Sequence, residues 1–128
     1  MKFVADTHAL FWYLENHPKL SDASKRFFDE TTESATIVIP TIVVAELIFL
    51  LKKSSLDDRI KVILDFLESE PRFELYPLTV PIVRQSTTLK DFEIHDALIV
   101  ATARHLAVPL MTADQKIIAS GMVHTLRP

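Results

Sequence analysis

The apolar positions of the chain change period repeatedly, and each change marks an element. Phe3-Val4-Ala5 is a short apolar run ending on Asp6, whereas Ala9, Leu10, Phe11 and Leu14 recur at helical spacing. A strand therefore passes into a helix just after Asp6. Pro18 interrupts the pattern, and Ser21 reads as the N-cap of a second helix, with Asp22 in its first turn and Phe27 and Phe28 on its apolar edge. Glu30 to Ser34 is a polar connector. The β-branched run Thr36-Ile37-Val38-Ile39 is a second strand, stopped by Pro40. Thr41 can cap the next helix, Ile42 to Lys53. That helix is apolar on nearly every side and is expected to be buried.

The second half keeps the alternation. Ser55 reads as a cap, Asp57 and Asp58 fall in the first turn behind it, and Ile60, Ile63, Leu64 and Leu67 form a core stripe that ends before Pro71. Phe73 to Tyr76 is a third strand, and Thr79-Val80-Pro81 opens a helix running toward Lys90. Ile94 to Leu106 is a further helix, rich in alanine. Val108 to Thr112 is a fourth strand with Pro109 near its start, where proline is tolerated. Gln115 to Ser120 is a short helix closed by Gly121, the chain's one glycine, and Met122 to Leu126 is a short fifth strand. Strands alternating with helices predict an α/β fold, with a five-stranded parallel sheet, right-handed crossovers and flanking helices in one domain, residues 1–128.

Composition narrows the class. With 128 residues, 48% of them hydrophobic, the chain can build one dense core. Its most apolar stretch, Ile42 to Leu51, is interrupted by Glu46 and falls short of the roughly 20 residues of a membrane span. No basic segment leads into an apolar one with a cleavage site, so no export signal is expected. The absence of cysteine excludes disulfides and thiolate metal sites and fits a cytoplasmic protein. A net charge of −3 argues against a generic basic nucleic-acid coat. Four acids committed to a metal would nevertheless leave the remainder slightly basic.

Four acids stand where packing does not ask for them. Glu46 sits among Val43, Val44, Ala45, Leu47 and Ile48, and an unpaired buried carboxylate costs roughly several kcal/mol or protonates. An ion pair, for example with Lys53 at i+7, is its structural alternative. Asp96 near the start of a helix complements the helix dipole. Asp114 at the end of strand four and Asp6 at the end of strand one can each cap the helix that follows. Thr112 is a strand-end hydroxyl, and Asp91 and Glu93 read as loop acids facing solvent. Jointly, Asp6, Glu46, Asp96 and Asp114 have no matching set of cations. If strands one and four are neighbours, Asp6 and Asp114 flank the topological switch point at which α/β proteins place ligands. Four hard oxygen donors there suit Mg²⁺ or Mn²⁺, which can generate hydroxide and neutralise a phosphate.

Other chemistry is thin. No two of His8, His17, His95, His105 and His124 have zinc-site spacing; His8 and His95 adjoin proposed ligands but read as surface or packing residues. One glycine cannot build a phosphate-cradling loop, and no Ser, Lys or Cys nucleophile stands out.

Four blocks carry a family resemblance: Val4-Ala5-Asp6-Thr7-His8-Ala9-Leu10, Val43-Val44-Ala45-Glu46-Leu47, His95-Asp96-Ala97-Leu98-Ile99-Val100-Ala101-Thr102-Ala103, and Met111-Thr112-Ala113-Asp114. In order and spacing the chain resembles PIN-domain ribonucleases of the VapC type, the toxins of bacterial and archaeal toxin–antitoxin pairs. The resemblance implies strand one at the centre of the sheet with strand four beside it, and Mg²⁺- or Mn²⁺-dependent cleavage of RNA. It also implies a homodimer and inhibition by a small antitoxin protein. By position Asp6, Glu46, Asp96 and Asp114 match the acidic quartet, as catalytic and metal-holding residues, and Thr112 matches a supporting hydroxyl. The chain departs from the pattern after Asp114, where Gln115-Lys116-Ile117-Ile118 replaces further polar residues and a phenylalanine; a fifth acid and the choice between one and two metal ions stay open. Phe11, Trp12 and Tyr13 cannot all face one core, so at least one is expected in a dimer contact or antitoxin groove.

Three rival readings remain. A phosphatase of the haloacid-dehalogenase sort would use Asp6 as nucleophile and a second aspartate two residues on, where His8 stands. A non-catalytic PIN-fold binding module would have no use for a costly acid cluster. A housekeeping RNA-processing nuclease would share the toxin's chemistry.

Overall fold

A computed structural model describes residues 2–31, 34 and 36–128. Five strands, β1 (Phe3–Ala5), β2 (Ile37–Pro40), β3 (Phe73–Tyr76), β4 (Leu110–Met111) and β5 (Thr125–Leu126), form one sheet in the order β3-β2-β1-β4-β5. Every pairing is parallel. The central strand β1 carries three fully buried side chains, and Ile37, Val38, Ile39, Leu110 and Met111 beside it are fully buried too. Burial of each large side chain contributes roughly 1.5–3 kcal/mol, which makes this strip the core of the fold. The register Val4↔Leu110 and Ala5↔Met111 brings the ends of β1 and β4 side by side.

Seven helices connect the strands: α1 (Thr7–Leu14), α2 (Asp22–Asp29), α3 (Thr41–Lys53), α4 (Ile60–Ser69), α5 (Val80–Ser86), α6 (Ile94–Leu106) and α7 (Gln115–Ser120). Several boundaries follow from local chemistry. Ser21 caps α2 by accepting from the Ser24 N–H, as its sequence predicts. Pro71 lies in the turn between α4 and β3, and Gly121 ends α7 at φ 65°, the left-handed conformation that glycine adopts without strain. α6 ends without glycine. Ala107 takes φ 56°, and the N–H groups of Ala107 and Val108 close back on the carbonyls of Arg104 and Ala103.

Other expectations need correction. Thr41 is not the cap of α3 but its first residue, and its hydroxyl accepts from the Leu78 N–H. Ser55 does not cap α4; it sits at φ 58°, and a 3-10 turn over Asp57–Arg59 intervenes before the helix. α5 stops at Ser86, well before Lys90. β4 and β5 are shorter than their apolar runs, and part of the 30–34 connector lies outside the described residues. The largest correction concerns α3. Only Val43, Leu47 and Leu51 are fully buried, while Phe49 is 73% exposed. Its uniform hydrophobicity conceals three different environments.

Candidate active site

All four predicted acids line one cleft of about 570 Å³ at the carboxyl edge of the sheet, where β1 and β4 diverge to opposite connections. Each comes from a different element. Asp6 ends β1 and caps α1, its Oδ1 accepting from the Ala9 N–H at 2.9 Å. Asp114 follows β4 and caps α7 in the same way through the Ile117 N–H at 3.0 Å. The local capping roles and the shared cleft are thus compatible: one carboxylate oxygen holds the helix and the group still borders the crevice.

Thr112 joins these two acids. Its side chain is fully buried, its hydroxyl bonds the Asp6 carboxylate, and its Oγ1 accepts the Asp114 N–H at 3.1 Å. The sheet register is the cause, because the Asp6 N–H donates to the Met111 carbonyl and so sets Asp6 against the residue after it.

Glu46 reaches the cleft from α3. The Thr7 hydroxyl donates to its Oε1 at 2.8 Å, and Nδ1 of His95 lies 3.3 Å from its Oε2. Neither partner is the lysine or arginine of the structural alternative. Lys53 does lie on the same helical face, with Phe49 and Leu50, but among the described residues it makes no ion pair.

Asp96 stands in the first turn of α6, where its charge favours the helix dipole, yet its carboxyl is pushed up to about 6. Burial is the largest cause, followed by the charges of Asp114, Glu93, Glu46 and Asp6. Burial also holds the Asp6 carboxyl above its ordinary value, against the hydrogen bonds from Thr112 and Ala9 and the proximity of His8; the charge of Asp114 adds a smaller upward push. The cleft therefore holds negative charge that the protein does not itself balance.

Two residues keep the surface position expected of them but make contacts that the sequence did not show. Glu93 is not simply a solvent-facing loop acid. It caps α6 by accepting from the N–H groups of His95 and Asp96, and its Oε1 lies 3.3 Å from Nδ1 of His95. His95 is accordingly placed between Glu46 and Glu93 rather than on bare surface. The available signal was an acid three residues before Asp96 at a helix start, but glutamate is not a favoured cap residue. Asp91 is exposed, as expected.

Of the three adjacent aromatics, Tyr13 stacks on Phe28 at 4.2 Å and donates its hydroxyl to Asp29, while Trp12 borders the cleft. Lys19 and Lys53 are the basic residues on the rim.

Among the described residues, no three histidine, aspartate or glutamate side chains stand close enough together to hold a metal ion as they are placed. The acids ring an open cleft instead. The donor set, carboxylates with a hydroxyl and no thiolate, fits a hard cation such as Mg²⁺, which keeps several waters and is commonly bound through one or two carboxylates.

Among the described residues, no helix is long and apolar enough to cross a membrane. Comparison with curated protein sequences returns no match. Solved structures do resemble this one. VapBC2 from Rickettsia felis, bound to a DNA fragment from its promoter, aligns with a TM-score of 0.78 at 19% identity, covering 100% of this chain and 99% of the other. VapC20 from Mycobacterium tuberculosis, described as a sarcin–ricin loop cleaving toxin, aligns at 0.73 and 18% identity over 99% and 100%. A toxin–antitoxin complex from Klebsiella pneumoniae aligns at 0.72 and 21% identity over 99% and 98%. At these identities the likeness is one of fold. The sequence model of the PIN domain matches residues 3–120, from the first strand through the last helix. Because that match spans every element that brings an acid to the cleft, the chain belongs to the PIN domain family.

Proposed function

We propose that the protein is a metal-dependent endoribonuclease and the toxin of a toxin–antitoxin pair, with Asp6, Glu46, Asp96 and Asp114 as its catalytic acids. The observation that carries this reading is their convergence, from four separate elements, on one cleft at the switch point of the sheet. The same four carboxylates would hold Mg²⁺, with Mn²⁺ as a substitute. When bound, the ion supplies an activated water and neutralises charge on the phosphodiester and its leaving oxygen.

The protein's own residues fix the geometry. Thr112 and the Ala9 N–H hold Asp6, Thr7 and His95 hold Glu46, and the Ile117 N–H holds Asp114, so three of the four carboxylates are anchored at the cleft. Such pre-positioned charge acts without reorganisation as the reaction proceeds. Lys19 and Lys53 on the rim attract the RNA backbone. The likeness to proteins described as toxins and toxin–antitoxin complexes supports the toxin role and a small antitoxin partner. Exposed Val80, Val83 and Ile94 on α5 and α6 support a homodimer, which light scattering tests.

Purified protein is expected to cut single-stranded RNA with Mg²⁺ or Mn²⁺ and to stop in EDTA. Asp6→Asn, Glu46→Gln, Asp96→Asn and Asp114→Asn each remove about 3 kcal/mol of transition-state stabilisation, on the order of a hundred-fold in rate. Asp91→Asn leaves the rate unchanged. Growth arrest on expression that persists in Asp6→Asn, or equal damage from Asp91→Asn, would overturn the assignment.

A further inference from the structure

One wall of the cleft carries no acid. Trp12 on α1 is half-buried and lines this wall with His8 and with Lys19 from the loop that follows the helix. The Lys19 ammonium lies over the indole face, 5.7 Å from its centre, and a base stacking on that face would displace it toward the base's phosphate. His8 and His17 border the same ring at 6.0 Å between centroids, the first tilted by 58° and the second nearly parallel at 26°. The indole is thus held in one orientation by neighbours on its own helix and loop. Among the described residues Lys19 makes no ion pair, so its charge is available to an anion.

The acids and this wall ask for different things. A cation satisfies the carboxylates and leaves the indole and the lysine with only each other and the two histidines. An apolar peptide segment would cover the indole but bring nothing for the ammonium. A nucleotide offers both, a flat π face for the tryptophan and a phosphate for the lysine. A base paired and stacked within a duplex cannot present its face in this way, whereas an unpaired base can.

We propose that Trp12 and Lys19 form a stacking subsite for one unpaired nucleobase and its phosphate beside the acid cluster. This rests on the ribonuclease reading above and restricts its substrate to strands that are single-stranded at that nucleotide.

Trp12 is the only tryptophan in the chain, so indole emission reports this subsite alone. The full chain carrying Asp6→Asn, with Mg²⁺ present, is titrated with a short end-labelled oligoadenylate while anisotropy and tryptophan emission are followed together. Emission is expected to be quenched in step with binding. The same strand with abasic sites, or paired in a duplex, is expected to bind about ten-fold more weakly and without quenching. Trp12→Ala costs about ten-fold in affinity, while Trp12→Phe, which keeps a ring, stays within about three-fold of the parent. Lys19→Ala weakens every strand alike and flattens the salt dependence.

Unchanged emission at saturating anisotropy, or equal quenching by the abasic strand, overturns the subsite. Wild-type cleavage is scored separately. Selective quenching in a protein that cuts nothing leaves the subsite standing and removes the nuclease reading; cleavage without quenching does the reverse. Should Trp12→Ala fail to fold, the emission titration and the Trp12→Phe and Lys19→Ala variants still decide the question.

Discussion

Replacing Asp96 by asparagine in metal-free protein is expected to raise stability near neutral pH and to lose that gain on acidification. The wild-type carboxyl is raised from 3.8 to about 6, first by burial and then by Asp114, Glu93, Glu46 and Asp6. Between those two values the folded state binds more protons than the unfolded chain, so the group's unfavourable contribution develops as pH rises through about 6 and disappears below 3.8. A shift of this size corresponds to about 3 kcal/mol for a fully desolvated group, and the water still reaching this side chain cuts it roughly in half. Loss of the charge at the start of α6 works the other way, by about 0.5 kcal/mol. The net gain for Asp96→Asn is then about 1 kcal/mol at about pH 7.5, a rise in Tm of roughly 3–5 °C, and it shrinks toward zero at about pH 4. Thermal melts of both proteins in EDTA at the two pH values measure it. With Mn²⁺ the order reverses, because the variant loses a ligand. A variant less stable than wild type in EDTA at neutral pH would show that Asp96 serves mainly the helix dipole, and a gain independent of pH would refute the electrostatic account.

Other expectations follow from single residues. Thr112→Val keeps the shape of a fully buried side chain but strands the Asp6 carboxylate and the Asp114 N–H, costing about 1–3 kcal/mol by denaturant melts. Thr112→Ser retains most of both stability and activity. Ala107→Gly relieves a left-handed alanine at the end of α6 and stabilises by about 0.5–1 kcal/mol, measured by thermal melting. On α3, Leu47→Ala destabilises by about 2–5 kcal/mol, whereas Phe49→Ala stays within about 0.5 kcal/mol because its ring is largely in water. Equal losses at the two positions would show that α3 is covered on both faces.

Most of the fold was legible because it is written in short-range patterns. The bounds of α6 and α7, the cap at Ser21 and the αL end at Gly121 depend on side chains within a few residues of the backbone groups they serve. The same holds for Asp6 and Asp114 at the ends of β1 and β4, where strand, acid and helix follow one another directly. What lay beyond the pattern was decided by groups distant in sequence. An all-apolar helix does not state which stripe meets the core, so α3 was expected to be buried throughout, and only packing against its neighbours separates Leu47 from Phe49. Glu46 looked like a candidate for an ion pair with Lys53 on its own helix; its partners are Thr7, 39 residues earlier, and His95 from α6. Glu93 becomes a cap although its residue type rarely is one. Ala107 holds a left-handed conformation that its sequence does not prefer, because the two hydrogen bonds closing α6 require it. Local spacing fixes where a helix begins and which atoms it offers, while the free energy that selects partners comes from desolvation and charge shared among elements that meet only in the folded chain.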